Sequence, residues 1–188
     1  MTFSFVIRLA LISLFCLVLQ IPEIQHWVIW DRGLISNGEW WRIVTGNFSH
    51  TNLAHLAMNL AGLVVICYLF TPTKKALYVL LALLSLTIGL GLLLTPLNAY
   101  LGLSGVLHGL FAYWALSECL GGRKNSIWLI VGVVAKVTWE TLFGASQSTI
   151  DLIAANVATE AHAIGTVAGL LFSLGYWLYN RVPLQQNS

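Results

Sequence analysis

The sequence predicts an all-α membrane protein, a bundle of six transmembrane helices. Three observations carry that prediction. Of the 188 residues, 58% are hydrophobic and only 9% are charged, against about 25% charged in an ordinary soluble domain. The mean hydropathy is +0.82. Six apolar runs also approach the ~20 residues that a helix needs to cross a bilayer core.

The six spans run over about 4–24, 51–70, 76–96, 103–120, 126–143 and 159–180. The first is not read as a cleaved leader. Leu19-Gln20-Ile21-Pro22-Glu23 follows its apolar run, with no pair of small residues at cleavage spacing. The 25–50 connection holds four of the eight tryptophans, Trp27, Trp30, Trp40 and Trp41. Indole favours the membrane interface, so this segment either lies in the outer leaflet or forms a plain aromatic belt. The polar tail 183–188 is expected to be disordered. With no internal repeat and no soluble insertion, residues 1–188 read as one transmembrane domain.

Positive charges set the direction. Arg8, Lys74, Lys75, Arg123, Lys124 and Arg181 all fall at one set of helix ends. The positive-inside rule makes those ends cytoplasmic, with both termini inside. A net charge of +2 without a dense basic cluster excludes nucleic acid as a partner. Cys16, Cys67 and Cys119 sit singly in apolar runs. They read as small buried side chains rather than a disulfide or metal framework.

Polar groups inside spans are costly and mark function by default. Spans two, four and six run inward from the outer side, so polar residues near their N-terminal ends share one depth. Span two brings His50, His55 and Asn59; span four brings Ser104 and His108; span six brings Glu160 and His162. A serine hydroxyl becomes a nucleophile when an imidazole takes its proton. His162, on another helix at matching depth, is the candidate base. His108 lies one turn below Ser104, able to contact the serine or stack on His162. Ser104 near a helix start adds unpaired N–H groups suited to an oxyanion. His55 and Asn59 share one helix face and can both donate. Glu160 sits two residues from His162 and so diverges from it around the helix, leaving a Ser–His dyad with no evident acidic third member. Gly102 and Gly105 flank the serine and permit close approach. Small residues Gly105 and Gly109, and Ala161, Gly165 and Gly169, recur every fourth position, the spacing that lets membrane helices approach closely.

Taken together, these residues resemble the rhomboid family of intramembrane serine proteases. The match covers about 40–170: Trp41-Arg42, His50, His55 and Asn59, the Gly102-x-Ser104-Gly105 motif, and Ala161-His162 with Gly165 and Gly169. The resemblance implies Ser104 as nucleophile, His162 as base, and His55, Asn59 and the Ser104 N–H as oxyanion hole. It implies six helices with a short central span four and a cavity open to the periplasm of a bacterial inner membrane. No cofactor is implied. The compact size and "GLSGVLHGLF" look like the rhombosortase subfamily. That branch implies as partners exported proteins anchored by a C-terminal Gly-Gly motif, a transmembrane helix and a basic tail. Other bacterial rhomboids often carry Tyr where this chain has His108, so the role of His108 is open between stacking and hydrogen bonding.

Lys136 and Glu140 lie at i and i+4 within span five. They either neutralise each other or shape the substrate entrance of the expected lateral gate. Two rival readings belong to other classes. One is an inactive rhomboid-like protein that binds membrane clients. The other is a metal site or transporter built on His50, His55, His108 and His162, which no HExxH motif supports.

Overall fold

The computed structural model describes residues 3–181, with side chains from residue 6 onward. The 183–188 tail lies outside the described residues. Helix α1 (Phe3–Val18) stops short, and α2 (Pro22–Val28) leaves it at 95°. This corrects the first predicted span, 4–24. Proline has no N–H to donate and its ring clashes with the carbonyl four residues back, which here is Val18. Pro22 therefore opens a new helix instead of extending the old one.

The 25–50 connection is built, not draped. After α2 come a two-residue strand β1 (Trp30–Asp31) and the short helices α3 (Arg32–Ser36) and α4 (Arg42–Thr45). Trp27, Trp40 and Trp41 are exposed, as an interfacial belt requires, but Trp30 is fully buried. Its indole N–H donates to the Gly89 carbonyl at 2.9 Å, and a methyl on Gly46 would strike its Cβ at 2.5 Å. Trp30 is a peg, not part of the belt. Arg42 is buried too, bonded to the His26 and Ile29 carbonyls and to Glu39.

The bundle proper consists of α5 (Leu53–Phe70), α6 (Lys74–Gly91), α7 (Ser104–Leu120), α8 (Ile127–Phe143) and α10 (Thr159–Arg181), with the small helix α9 (Gln147–Ile153) on the 144–158 connection. Four of these, α5, α6, α8 and α10 with their flanking turns, are each long and apolar enough to cross a bilayer. The bent α1–α2 pair makes a fifth if counted as one span. Helix α7, 17 residues long, is enclosed by the others. The core is apolar, as in a soluble protein, but it also encloses polar side chains and the outside is apolar as well. Asn47, His50, His55, Asn59, Ser85 and His162 are buried, while Val65, Leu83, Leu142 and Leu171 face outward. That is the distribution expected when lipid is the solvent.

The small-residue stripes lock α7 to α10. A methyl on Gly105 would meet the Ala161 carbonyl at 2.9 Å, and one on Gly109 would meet the Gly165 carbonyl at 2.8 Å. In return, Gly165 rests on the Gly105 carbonyl and Gly169 on the Gly109 carbonyl. Neither backbone could come so close past a Cβ. Cys16 and Cys67 are buried and unpaired as expected, whereas Cys119 is only partly covered.

Candidate active site

The segment before Ser104 is held from four sides. Strand β2 (Ala99–Tyr100) pairs antiparallel with β1, Trp30 opposite Tyr100. The Gly102 N–H donates to the Gly46 carbonyl at 3.2 Å. The Tyr100 hydroxyl donates to the Gly102 carbonyl; burial pushes that phenol's pKa upward, so it stays a donor. The Leu103 N–H reaches His50 Nε2 at 3.4 Å. His50 is itself fixed by Gln20, whose amide bonds the His50 N–H and carbonyl at 2.9 and 2.8 Å. Burial, reinforced by neighbouring His55, lowers the His50 pKa to about 3. The ring is therefore neutral and able to accept.

Gly102 has φ +135°, a conformation that favours glycine. A side chain there would also meet the His55 ring at 3.0 Å. Helix α7 then begins at Ser104 itself. Its first N–H groups have no intrahelical acceptors and gather at the serine.

Ser104 and His162 meet. Ser104 Oγ lies 2.8 Å from His162 Nε2, across the glycine contact of α7 and α10. His108 fills both roles left open for it. Its ring stacks on His162, with centroids 4.1 Å apart and planes 20° apart. Its Nδ1 lies 2.7 Å from the Ser104 carbonyl, an acceptor, so Nδ1 carries the proton.

An acidic side chain meets His162 from a helix that the sequence reading gave another role. Glu140 on α8 places Oε2 2.9 Å from His162 Nδ1, while its Oε1 takes Lys136 Nζ at 2.7 Å. Lys136 Nζ also lies 3.1 Å from His108 Nε2. The i,i+4 reading of Lys136 and Glu140 found one partner of this carboxylate and missed the second, His162. A carboxylate has two oxygens, and i,i+4 spacing accounts for only one of them. Glu160, the acidic residue nearest His162 in sequence, contributes no bond to the ring.

His55 and Asn59 line the same cavity as Ser104. Thr51 N–H and Oγ1 approach His55 Nδ1 at 3.5 and 3.1 Å. The Thr51 hydroxyl hydrogen is spent on the Ile153 carbonyl; in the tautomer whose Nδ1 accepts from the Thr51 N–H, Nε2 bears the proton and lies beside Gly102. One Asn59 amide hydrogen goes to the His55 carbonyl at 3.1 Å, leaving the other to donate.

Two cavities reach Ser104. The larger, about 560 Å³, separates α5 from α8 and is walled by apolar side chains including Met58, Ile66, Phe111 and Val133. The smaller, about 280 Å³, is lined by Thr51, Tyr100 and Asn156, with Ile153 at the end of α9 on the border of both. The end of α9 is tethered there: Asn52 Nδ2 donates to the Leu152 carbonyl at 3.0 Å, and Thr51 Oγ1 donates to the Ile153 carbonyl.

The four-histidine metal set is not what the fold assembles. His50 and His55 pack edge to face at 5.0 Å, and one nitrogen of each, His50 Nε2 and His55 Nδ1, is taken up by a backbone N–H. Among the described residues, the ligand-type atoms within 4.8 Å of one another belong to His108, Glu140 and His162. Each of these already has a hydrogen-bond partner within that group or at Ser104.

A family model of the Rhomboid domain matches residues 37–179. The chain belongs to the rhomboid family. Rhomboids are intramembrane serine proteases, and this rhomboid is a multi-pass, all-α membrane protein. No curated protein matches its sequence.

Proposed function

We propose that this rhomboid is a rhombosortase-like protease of the bacterial inner membrane. It cleaves the C-terminal transmembrane anchor of exported proteins, near a Gly-Gly motif. In this reading six spans leave both termini in the cytoplasm and Ser104 opens toward the periplasm. The observation that carries it is the 2.8 Å approach of Ser104 Oγ to His162 Nε2 at the mouth of an apolar cleft of about 560 Å³.

The chemistry follows from that geometry. Ser104 Oγ attacks the scissile carbonyl as His162 Nε2 takes its proton. The oxyanion forms beside the Ser104 N–H, the free Asn59 amide hydrogen and His55 Nε2–H. His162 then gives its proton to the departing amine, which leaves on the anchor helix. Water repeats the sequence on the ester and frees the serine. The cleft between α5 and α8 accepts the apolar helix, while water comes from the side of the smaller cavity. Glycine at the cleaved bond suits this site, because a helix must unwind there to present its carbonyl.

Mass spectrometry of the C-termini of exported proteins, comparing wild type with Ser104→Ala, tests the reading. We expect truncated termini in wild type and intact anchors in the variant. Processing that survives Ser104→Ala would instead indicate a client-binding role. Inhibition by a chelator, with indifference to a serine-directed phosphonate, would indicate a metal.

A further inference from the structure

We propose that Glu140 is the acidic positioning residue of a Ser104–His162–Glu140 triad, held in place by Lys136. The inference rests on the proteolytic reading above and deepens it. For His162 Nε2 to accept the serine proton, its lone pair must face Oγ, so the ring proton must sit on Nδ1. Left alone, an imidazole has two neutral tautomers, and only one serves. The Glu140 carboxylate at 2.9 Å from Nδ1 accepts that proton's hydrogen bond and selects the serving tautomer. When His162 becomes imidazolium, the same anion lies beside the new charge.

The carboxylate is in turn oriented. Its other oxygen accepts from Lys136 at 2.7 Å, which balances its charge in a place where a lone carboxylate would be costly. Lys136 also donates to His108 Nε2, and His108 Nδ1–H donates to the Ser104 carbonyl. The chain of bonds thus runs from the nucleophile's backbone to the base's far nitrogen without a break. A neutralising pair on α8 would need only the Lys136–Glu140 contact. It gives no reason for the second oxygen to face an imidazole on α10, 22 residues away.

The test uses the full chain in bicelles and a fluorophosphonate probe, which needs no client. The rate of labelling is followed against pH. The charged and titratable groups around His162 are Glu140 and Lys136 on α8, His108 on α7 and His55 on α5. We expect wild type to label, and Ser104→Ala and His162→Ala not to. Glu140→Gln should label about 10- to 100-fold more slowly, below most of the ~10²–10⁴-fold worth of the general base itself, because Glu140 only positions that base. Its acid limb should move to lower pH, because removing the anion makes His162 a weaker base. Glu140→Asp should recover part of the rate and return the limb toward wild type.

Wild-type labelling at an unchanged rate in Glu140→Gln overturns the triad. So does a slow Glu140→Gln whose acid limb stays in place and which Asp does not rescue, for that is a packing defect. Wild type that the probe does not label overturns the proteolytic reading itself.

Discussion

The rings of His108 and His162 lie stacked, 4.1 Å between centroids and 20° between planes, with His108 also bonded to the carbonyl of Ser104. The base is therefore held on its face as well as at both nitrogens. A stacked aromatic pair contributes about 0.5–1.5 kcal/mol beyond its buried area, up to roughly tenfold in rate if the base drifts without it. His108→Ala should lower kcat by about that factor. His108→Tyr should recover most of the loss, because a ring returns even though the bond to Ser104 does not. Kinetics on a cleaved client check this. A Tyr variant as poor as Ala would assign the role to the hydrogen bond.

One Asn59 amide hydrogen is not taken up by the His55 carbonyl, and the proposed mechanism gives it to the developing oxyanion. Removing one such donor costs about 10²–10³ in kcat. Asn59→Ala should fall in this range with KM little altered, since the interaction matures only in the transition state. A rise in KM at constant kcat would place Asn59 in ground-state binding instead.

The α7–α10 lock can be tested without catalysis. A methyl on Gly165 runs into the Gly105 carbonyl, whereas one on Gly175 meets nothing within 4 Å. Overpacking of this kind costs about 1–3 kcal/mol. Gly165→Ala should lower the thermal unfolding temperature in detergent, and Gly175→Ala should not. Equal effects would mean that the contact is less tight than the backbones indicate.

His50 gives a pH dependence with a definite sign. Its folded pKa, lowered by burial to about 3, lies below the 6.5 of a free imidazole. The folded state thus binds the neutral ring better. This stability is complete above pH 6.5 and is lost as pH falls toward 3. One such group changes stability by at most about 1.4 kcal/mol per pH unit. Wild type should weaken on acidification below pH 6.5, and His50→Gln should show a shallower fall. Unfolding curves that run parallel for the two proteins would count against it.

Much of the site was legible because membrane helices are stiff rods of known rise. Depth follows from counting residues, so Ser104, His162, His55 and Asn59 could be placed together. The glycine stripes identified which helices touch. What could not be counted was rotation across a lipid-facing helix. The face of α8 turned toward His162 is set by packing, and Glu140 had a satisfying partner one turn away. Hydropathy also hid the break at Pro22, since Leu19, Ile21 and Ile24 continue the apolar run through it. Trp30 was read with its interfacial neighbours, because composition does not show that the sheet pairing carries it inward.

The bundle distributes its rigidity unevenly. Ser104 and His162 stand on two helices locked backbone to backbone, while Glu140 stands on α8, which buries only Val133 and Val137. Any sideways yielding of α8 stretches the carboxylate's reach to the imidazole before it disturbs the serine. Of the contacts around His162, the one to Glu140 is therefore the most exposed to a change in the surrounding bilayer. Probe labelling of wild type and Glu140→Gln, compared in thin and thick bilayers, checks this. Equal rates for wild type in both bilayers would count against it.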